Sequence, residues 1–163
     1  MPENDAFTEV YLRYSDKIFR FLYWHTHDAN LAEDLTSEVF LRAWQSWGHF
    51  DGRHPQAWLY RIAYHRVVDY WRKHQSLSLQ DVPEPAYDHN LAQRLEQDAR
   101  IRVVKRGLAS LPEKLRTVVI LRFLEDYSAK EVAAILHTSE GNVRVLQYRA
   151  LRKLREVLDR EER

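Results

Sequence analysis

Two helix starts lie within one short stretch, Ser128–Arg155 (SAKEVAAILHTSEGNVRVLQYRALRKLR), and they restrict it to two short helices joined by a tight turn. Ser128 and Glu131 have capping-box spacing: the Ser hydroxyl accepts from a free backbone N–H while the Glu side chain reaches back to the cap. Val132, Ala133, Ile135 and Leu136 supply an apolar face, and small Ala133 permits a close helix crossing. His137-Thr138-Ser139 breaks the pattern and offers a second N-cap at Ser139. Apolar positions then recur as Val143, Leu146, Ala150, Leu154 and Val157 or Leu158, one buried stripe at helical period. Arg144, Tyr148, Arg149, Arg152 and Lys153 project from the opposite face. Guanidinium forks match guanine edges and phosphates, and an aromatic ring packs on thymine methyls or sugars. An isolated Arg-rich helix also reads as a solvated basic face at a domain end. Two caps around a short break favour a helix-turn-helix whose second helix enters the major groove.

A net charge of +1, from 25 Lys plus Arg against 24 Asp plus Glu, does not by itself suggest nucleic acid. The charges are segregated instead. Glu33, Asp34 and Glu38 cluster early, Glu96 and Asp98 lie mid-chain, and basic residues concentrate in Arg144–Arg155, which suggests one acidic and one basic interaction surface. The absence of cysteine excludes disulfides, thiol catalysis and thiolate zinc sites. The N-terminal MPENDAF lacks the basic and apolar parts of a signal peptide, and no apolar run approaches a membrane span. A cytoplasmic protein without direct membrane insertion is therefore expected.

Scarce Gly and Pro and helical spacing throughout predict an all-α chain. Helices are predicted near Ala6–His25, Asn30–Ser46, Pro55–His74, Asn90–Ala109, Pro112–Leu124, Lys130–Leu136 and Glu140–Leu158. Between Gln75 and His89 the periodicity is lost and Pro83 and Pro85 appear, as in a linker. It divides an aromatic-rich N-terminal helical domain from a smaller C-terminal one.

In the second predicted helix, capped at Asn30, Leu31, Leu35, Val39 and Ala43 form one side, and Asp34, Glu38 and Arg42 form an i, i+4, i+8 stripe on another. Alone, such a row is an ordinary solvated face. In the third, Leu59, Ala63, Val67 and Tyr70 gather on one side, while Arg61, His65 and Arg72 share a stripe flanked by Trp58 and Asp69. Cations interleaved with aromatics suit phosphate contact and stacking on unpaired bases, although Trp58, Tyr60, Tyr64 and Trp71 also read as core or boundary aromatics. The preceding loop, Gly48–His54, is the one irregular Gly-bearing segment in this half and could present a pocket.

These pieces, in this order, resemble the bacterial sigma-70 family, specifically its small group-four members, the extracytoplasmic-function sigma factors. AEDLTSEVFLRAW (Ala32–Trp44) is similar to region 2.2, and WLYRIAYHRVVDYWR (Trp58–Arg72) to regions 2.3 to 2.4. LPEKLRTVVILRFLEDYSAKEVAAIL, followed by EGNVRVLQYRALRKL, resembles region 4. The resemblance implies a sigma2-like helical bundle over 1–75, a linker and the start of the next helix over 76–101, and a sigma4-like helix-turn-helix domain over 102–163. It implies docking on the β′ clamp helices of core RNA polymerase through Asp34, Ser37, Glu38 and Arg42, and a region-4 contact with the β flap. It further implies recognition and opening of the minus-ten promoter element by Phe50, Trp58, Arg61, His65 and Arg72. Arg144, Val145, Tyr148 and Arg149 would read the minus-thirty-five element, with Lys130 and Arg152 on phosphates. An anti-sigma protein, often membrane-anchored in this family, is an implied partner.

The chain departs from the family's pattern at three places. Ser37 stands where many relatives carry Gln, and His65 where Asn is common. Val145 and Leu146 replace polar or basic residues, which favours an apolar reading of thymine methyls by Val145, with Leu146 assigned to the core. An initiation factor of this kind performs no bond chemistry and needs no cofactor, metal or small-molecule substrate. The runner-up is a helix-turn-helix regulator that works without polymerase; the acidic stripe and aromatic third helix argue against it. An all-α enzyme has little support, since His25-Thr26-His27 has no HExxH or second ligand cluster beside it.

Overall fold

A computed structural model describes residues 2–74 and 99–161, and every regular element in it is helical. The predicted linker and the start of the helix predicted from Asn90 lie outside the described residues. The first half contains α1 (Pro2–Thr26), α2 (Ala29–Gln45), a 3-10 turn (Trp47–His49) and α3 (Pro55–Lys73). The second contains α4 (Ala99–Ser110), α5 (Glu113–Val119), a π-helical turn (Ile120–Leu124), α6 (Ala129–Leu136) and α7 (Glu140–Glu161).

The three long helices of the first half pack because each carries an apolar stripe at i, i+3, i+4 spacing. Ile18, Phe21 and Leu22 of α1 meet Ala32, Leu35, Val39 and Ala43 of α2 and Leu59, Ala63 and Val67 of α3, all buried. The cap of α2 is Asp28 rather than the predicted Asn30: the Asp28 carboxylate accepts from Leu31 N–H at 3.2 Å. His27, left-handed at φ 57°, turns the chain so that Asp28, two residues before Asn30, sits over the first free N–H groups. Helix α3 opens with Pro55 in its first turn, after a second left-handed residue, His54.

In the second half the predicted capping box is present. Ser128 Oγ accepts from Glu131 N–H at 3.1 Å, and the Glu131 carboxylate accepts from Ser128 N–H at 3.0 Å, which holds that carboxyl below its ordinary range. Ser128→Ala is expected to cost about 1 kcal/mol in a urea melt, because it removes one half of the pair. His137, left-handed at φ 53°, ends α6, and Ser139 Oγ receives Asn142 N–H at 3.0 Å to start α7. The helix predicted over Pro112–Leu124 is real but not uniform. Its last turn widens to π geometry, with Glu125 N–H bonded to the Ile120 carbonyl at 2.8 Å. Arg116 satisfies the end of α4 by donating to the carbonyls of Leu108 (2.8 Å) and Leu111 (2.9 Å). Gly107 lets α7 approach closely, since a Cβ there would lie 2.8 Å from Leu154 Cδ2.

The halves that the sequence separates are packed together along a seam where aromatic packing is joined by a set of polar contacts. Tyr127 OH donates to Tyr60 OH (3.1 Å), and Tyr60 OH donates to the Glu125 carboxylate (3.4 Å). Lys105 Nζ donates to Tyr23 OH (2.6 Å), Thr117 Oγ1 meets His25 Nε2 (3.3 Å), and Gln56 Nε2 donates to Glu131 (2.9 Å). Burial pushes the Glu125 carboxyl up, and Arg20, 4.0 Å away, opposes that shift. The Tyr60 hydroxyl is likewise pushed up, by burial and then by Glu125.

Candidate nucleic-acid and protein interfaces

Helix α7 divides into the two faces expected of it. Val143 and Ala150 are fully buried, with Leu146 and Leu154 packed against the same core. Arg144, Val145, Tyr148, Arg149 and Arg152 are exposed on the other side, Tyr148 at 66%. Arg144 makes a 3.3 Å ion pair with Glu140 one turn earlier, a weak exposed pair that a phosphate can displace. The result is a rigid helix that presents guanidinium groups, one phenol ring and one isopropyl group together. That set matches the edges exposed in a DNA major groove.

The loop before α3 brings two predicted residues into direct contact. Phe50 stacks on Trp58 with ring centroids 4.2 Å apart and planes 17° from parallel. Trp47, which the sequence reading did not single out, lies 5.4 Å from Phe50 and 5.9 Å from Trp58 and completes an aromatic cluster. Its signal is its place immediately before the irregular Gly48–His54 segment. Such half-buried rings are the platform on which an unpaired base stacks. His65 and Arg72 are exposed on α3. Arg61 is not free on that face: its Nη1 meets His137 Nε2 of α6 at 3.1 Å. Lys130 and Arg61 line one cleft of about 560 Å³ between α3 and α6, together with His54, Gln56 and Glu131.

On α2, Asp34, Ser37, Glu38 and Arg42 are all exposed. Glu38 is ion-paired with Arg66 of α3, and Arg66 also reaches Asp69 at 3.7 Å. Arg66 has no helical-stripe signal in the sequence, because both its partner and its role come from helix packing. Beside the acidic residues stand exposed Leu41 and Trp44, the latter edge-on to Phe7 at 5.0 Å. An acidic rim next to exposed apolar side chains has the composition that suits contact with another protein.

Among the described residues, no cluster of three or more His, Asp or Glu could hold a metal ion, and no helix is long and apolar enough to cross a membrane.

Comparison with known proteins assigns both halves. Residues 10–77 match the family model of sigma-70 region 2, and residues 107–156 that of sigma-70 region 4. The ECF RNA polymerase sigma factor BldN of Streptomyces coelicolor is 35% identical over 96% of this chain, which spans 61% of BldN's length. The ECF RNA polymerase sigma factor SigM of Bacillus subtilis is 30% identical over 93% of this chain and 94% of its own. Among solved structures, CnrH in complex with the cytosolic domain of CnrY superposes with a TM-score of 0.73 at 25% identity, covering 96% of this chain and 89% of that one. With both regions matched in order, around a helix-turn-helix and an aromatic-lined bundle, the chain belongs to the extracytoplasmic-function sigma factors of the sigma-70 family, the promoter-directing subunits of RNA polymerase.

Proposed function

We propose that Asp34, Ser37, Glu38 and Arg42 of α2 dock the chain on the β′ clamp helices of core polymerase. Phe50, Trp58, Arg61, His65 and Arg72 take up and open the minus-ten element, while Arg144, Val145, Tyr148 and Arg149 read the minus-thirty-five element with Lys130 and Arg152 on phosphates. The working units are residues 1–75 and 102–163, joined through 76–101, and the protein acts in the cytoplasm without bond chemistry. An anti-sigma protein is its expected antagonist. The observation that carries this reading is the exposed Arg144-Tyr148-Arg149 face on a core-anchored helix, on the same chain as the Phe50–Trp58 stack.

Melting is paid for by binding: unstacking costs a few kcal/mol per base step, offset by stacking on the aromatic cluster and by phosphate contacts. The two elements lie about 25 base pairs apart, or about 85 Å at ~3.4 Å per pair. Residues 75–98, 24 in number, can span up to about 85 Å when extended, a reach of the same size that is usable only once the halves part. Arg61 at the seam with α6 cannot serve a distant element while the halves stay packed. Promoter reading therefore requires the seam to open.

Run-off transcription with purified core polymerase on a promoter library tests the function. Specific transcripts that depend on the chain are expected; DNA binding without recruitment of polymerase would favour a polymerase-independent regulator. Asp34→Ala combined with Glu38→Ala is expected to weaken holoenzyme formation at least tenfold while helicity is retained, since charged contacts at an interface centre are worth about 1.5 kcal/mol or more. Undiminished assembly in gel filtration would remove α2 from the docking surface.

A further inference from the structure

The end of α1 carries two histidines that neither promoter reading nor polymerase docking uses. His25 is 3% exposed; its Nε2 faces Thr117 Oγ1 of α5, and its ring stands edge-on to Phe21 at 4.8 Å. His25 Nδ1 and His27 Nε2 are buried with no hydrogen-bond partner. The charges acting on the two rings are cationic: Arg116 of α5 on both, Lys105 of α4 on His27, and His27 on His25. Arg116 is fixed there by the α4 carbonyls it caps, and Lys105 by its bond to Tyr23 OH. The neighbouring Asp28 carboxylate is turned to Leu31 N–H as the cap of α2. Both rings thus sit where the second half covers the first, His25 facing Arg116 and His27 facing Arg116 and Lys105, each with a nitrogen that no group receives.

We propose that His25 and His27 form an acid-sensitive latch: the packed arrangement of the two halves holds only with both imidazoles neutral, and protonation favours their separation. Burial, and then the neighbouring cations, hold His25 well below the usual histidine range and His27 at about 4. Once the halves part, water reaches the rings and they regain an ordinary value near 6.5. Above about pH 6.5 neither state binds the proton, and the packed state keeps its full advantage. Between about 6.5 and 4 the open state binds more protons, so falling pH drives opening. At pH 5.5, His27 alone multiplies the open-to-closed ratio about tenfold, and His25 adds a further factor of the same kind.

The chain has no cysteine, so a single introduced thiol reports opening directly. Ala57→Cys places it, buried, at the seam between α3 and α6 and away from both histidines; if that variant loses helicity at pH 7.5, Tyr127→Cys, buried against Tyr60, replaces it. The measurement is the thiol labelling rate divided by that of a cysteine peptide at the same pH, on the free full chain, with far-UV circular dichroism in parallel. A relative rate that rises about tenfold or more from pH 7.5 to 5.5 with helicity intact is expected, and His25→Gln with His27→Gln should abolish the rise. A rate independent of pH, a rise that follows loss of helicity, or a rise that persists in the double variant would overturn the latch. No DNA or polymerase is present, so the outcome is separate from the assignment of the DNA-reading residues.

Discussion

Tyr60→Ala is expected to lower the stability of the chain by about 3–5 kcal/mol, seen as a large fall in the urea midpoint. Tyr60 is fully buried, edge-on to Phe21 of α1 at 5.3 Å and to Tyr127 of the second half at 5.2 Å. Its loss opens a ring-sized cavity where both halves meet. It also takes the donor from Glu125, leaving that buried carboxylate with Arg20 at 4.0 Å as its remaining cross-seam partner. Tyr60→Phe keeps the ring and removes only the hydroxyl, so a smaller cost of about 1–2 kcal/mol is expected. Equal effects of the two substitutions would show that the hydrogen-bonded chain, and not ring packing, holds the seam.

The second large effect concerns DNA. Arg149→Ala is expected to weaken binding of holoenzyme to promoter DNA by about 1–3 kcal/mol, or about 5- to 150-fold, and to relax selectivity at one position of the minus-thirty-five element. Arg149 is exposed beside Tyr148 and outside the buried Val143–Ala150 stripe, so its removal leaves the core of the helix-turn-helix untouched. Arg152→Ala should instead reduce binding evenly across sequences and lower the salt slope by about 1, the signature of a lost phosphate contact. A footprint and base preference unchanged by Arg149→Ala would exclude it from base reading.

The helix-turn-helix was legible because its signals are local: the Ser128–Glu131 box, the Ser139 cap and the Val143–Ala150 stripe all act within a few residues. The family resemblance rested on motifs of the same short range, and the matches over 10–77 and 107–156 bear it out. Asp28 and Asn30 are both good caps in one tripeptide, and only the left-handed turn at His27 decides between them. The π turn was hidden because the run VVILRFL is apolar almost throughout, so a shift of one residue leaves no gap in the pattern. Glu38 read as part of a solvated stripe because its partner, Arg66, lies on another helix, 28 residues away. Tyr60 and Tyr127 are 67 residues apart, one on an amphipathic helix and the other in the loop between two helices, and neither shows its partner until the halves meet.

The polar character of the seam bears on how the protein survives in solution once its halves part. Hydroxyls, a carboxylate, an amide and an ammonium group line much of the contact, at Tyr60, Tyr127, Glu125, Gln56 and Lys105. Each can exchange its partner for water at little net cost. A seam built from leucine and phenylalanine would leave sticky faces on both pieces and invite clumping before polymerase arrived. A seam that carries these groups is therefore expected to leave parted faces less prone to self-association than a wholly apolar one.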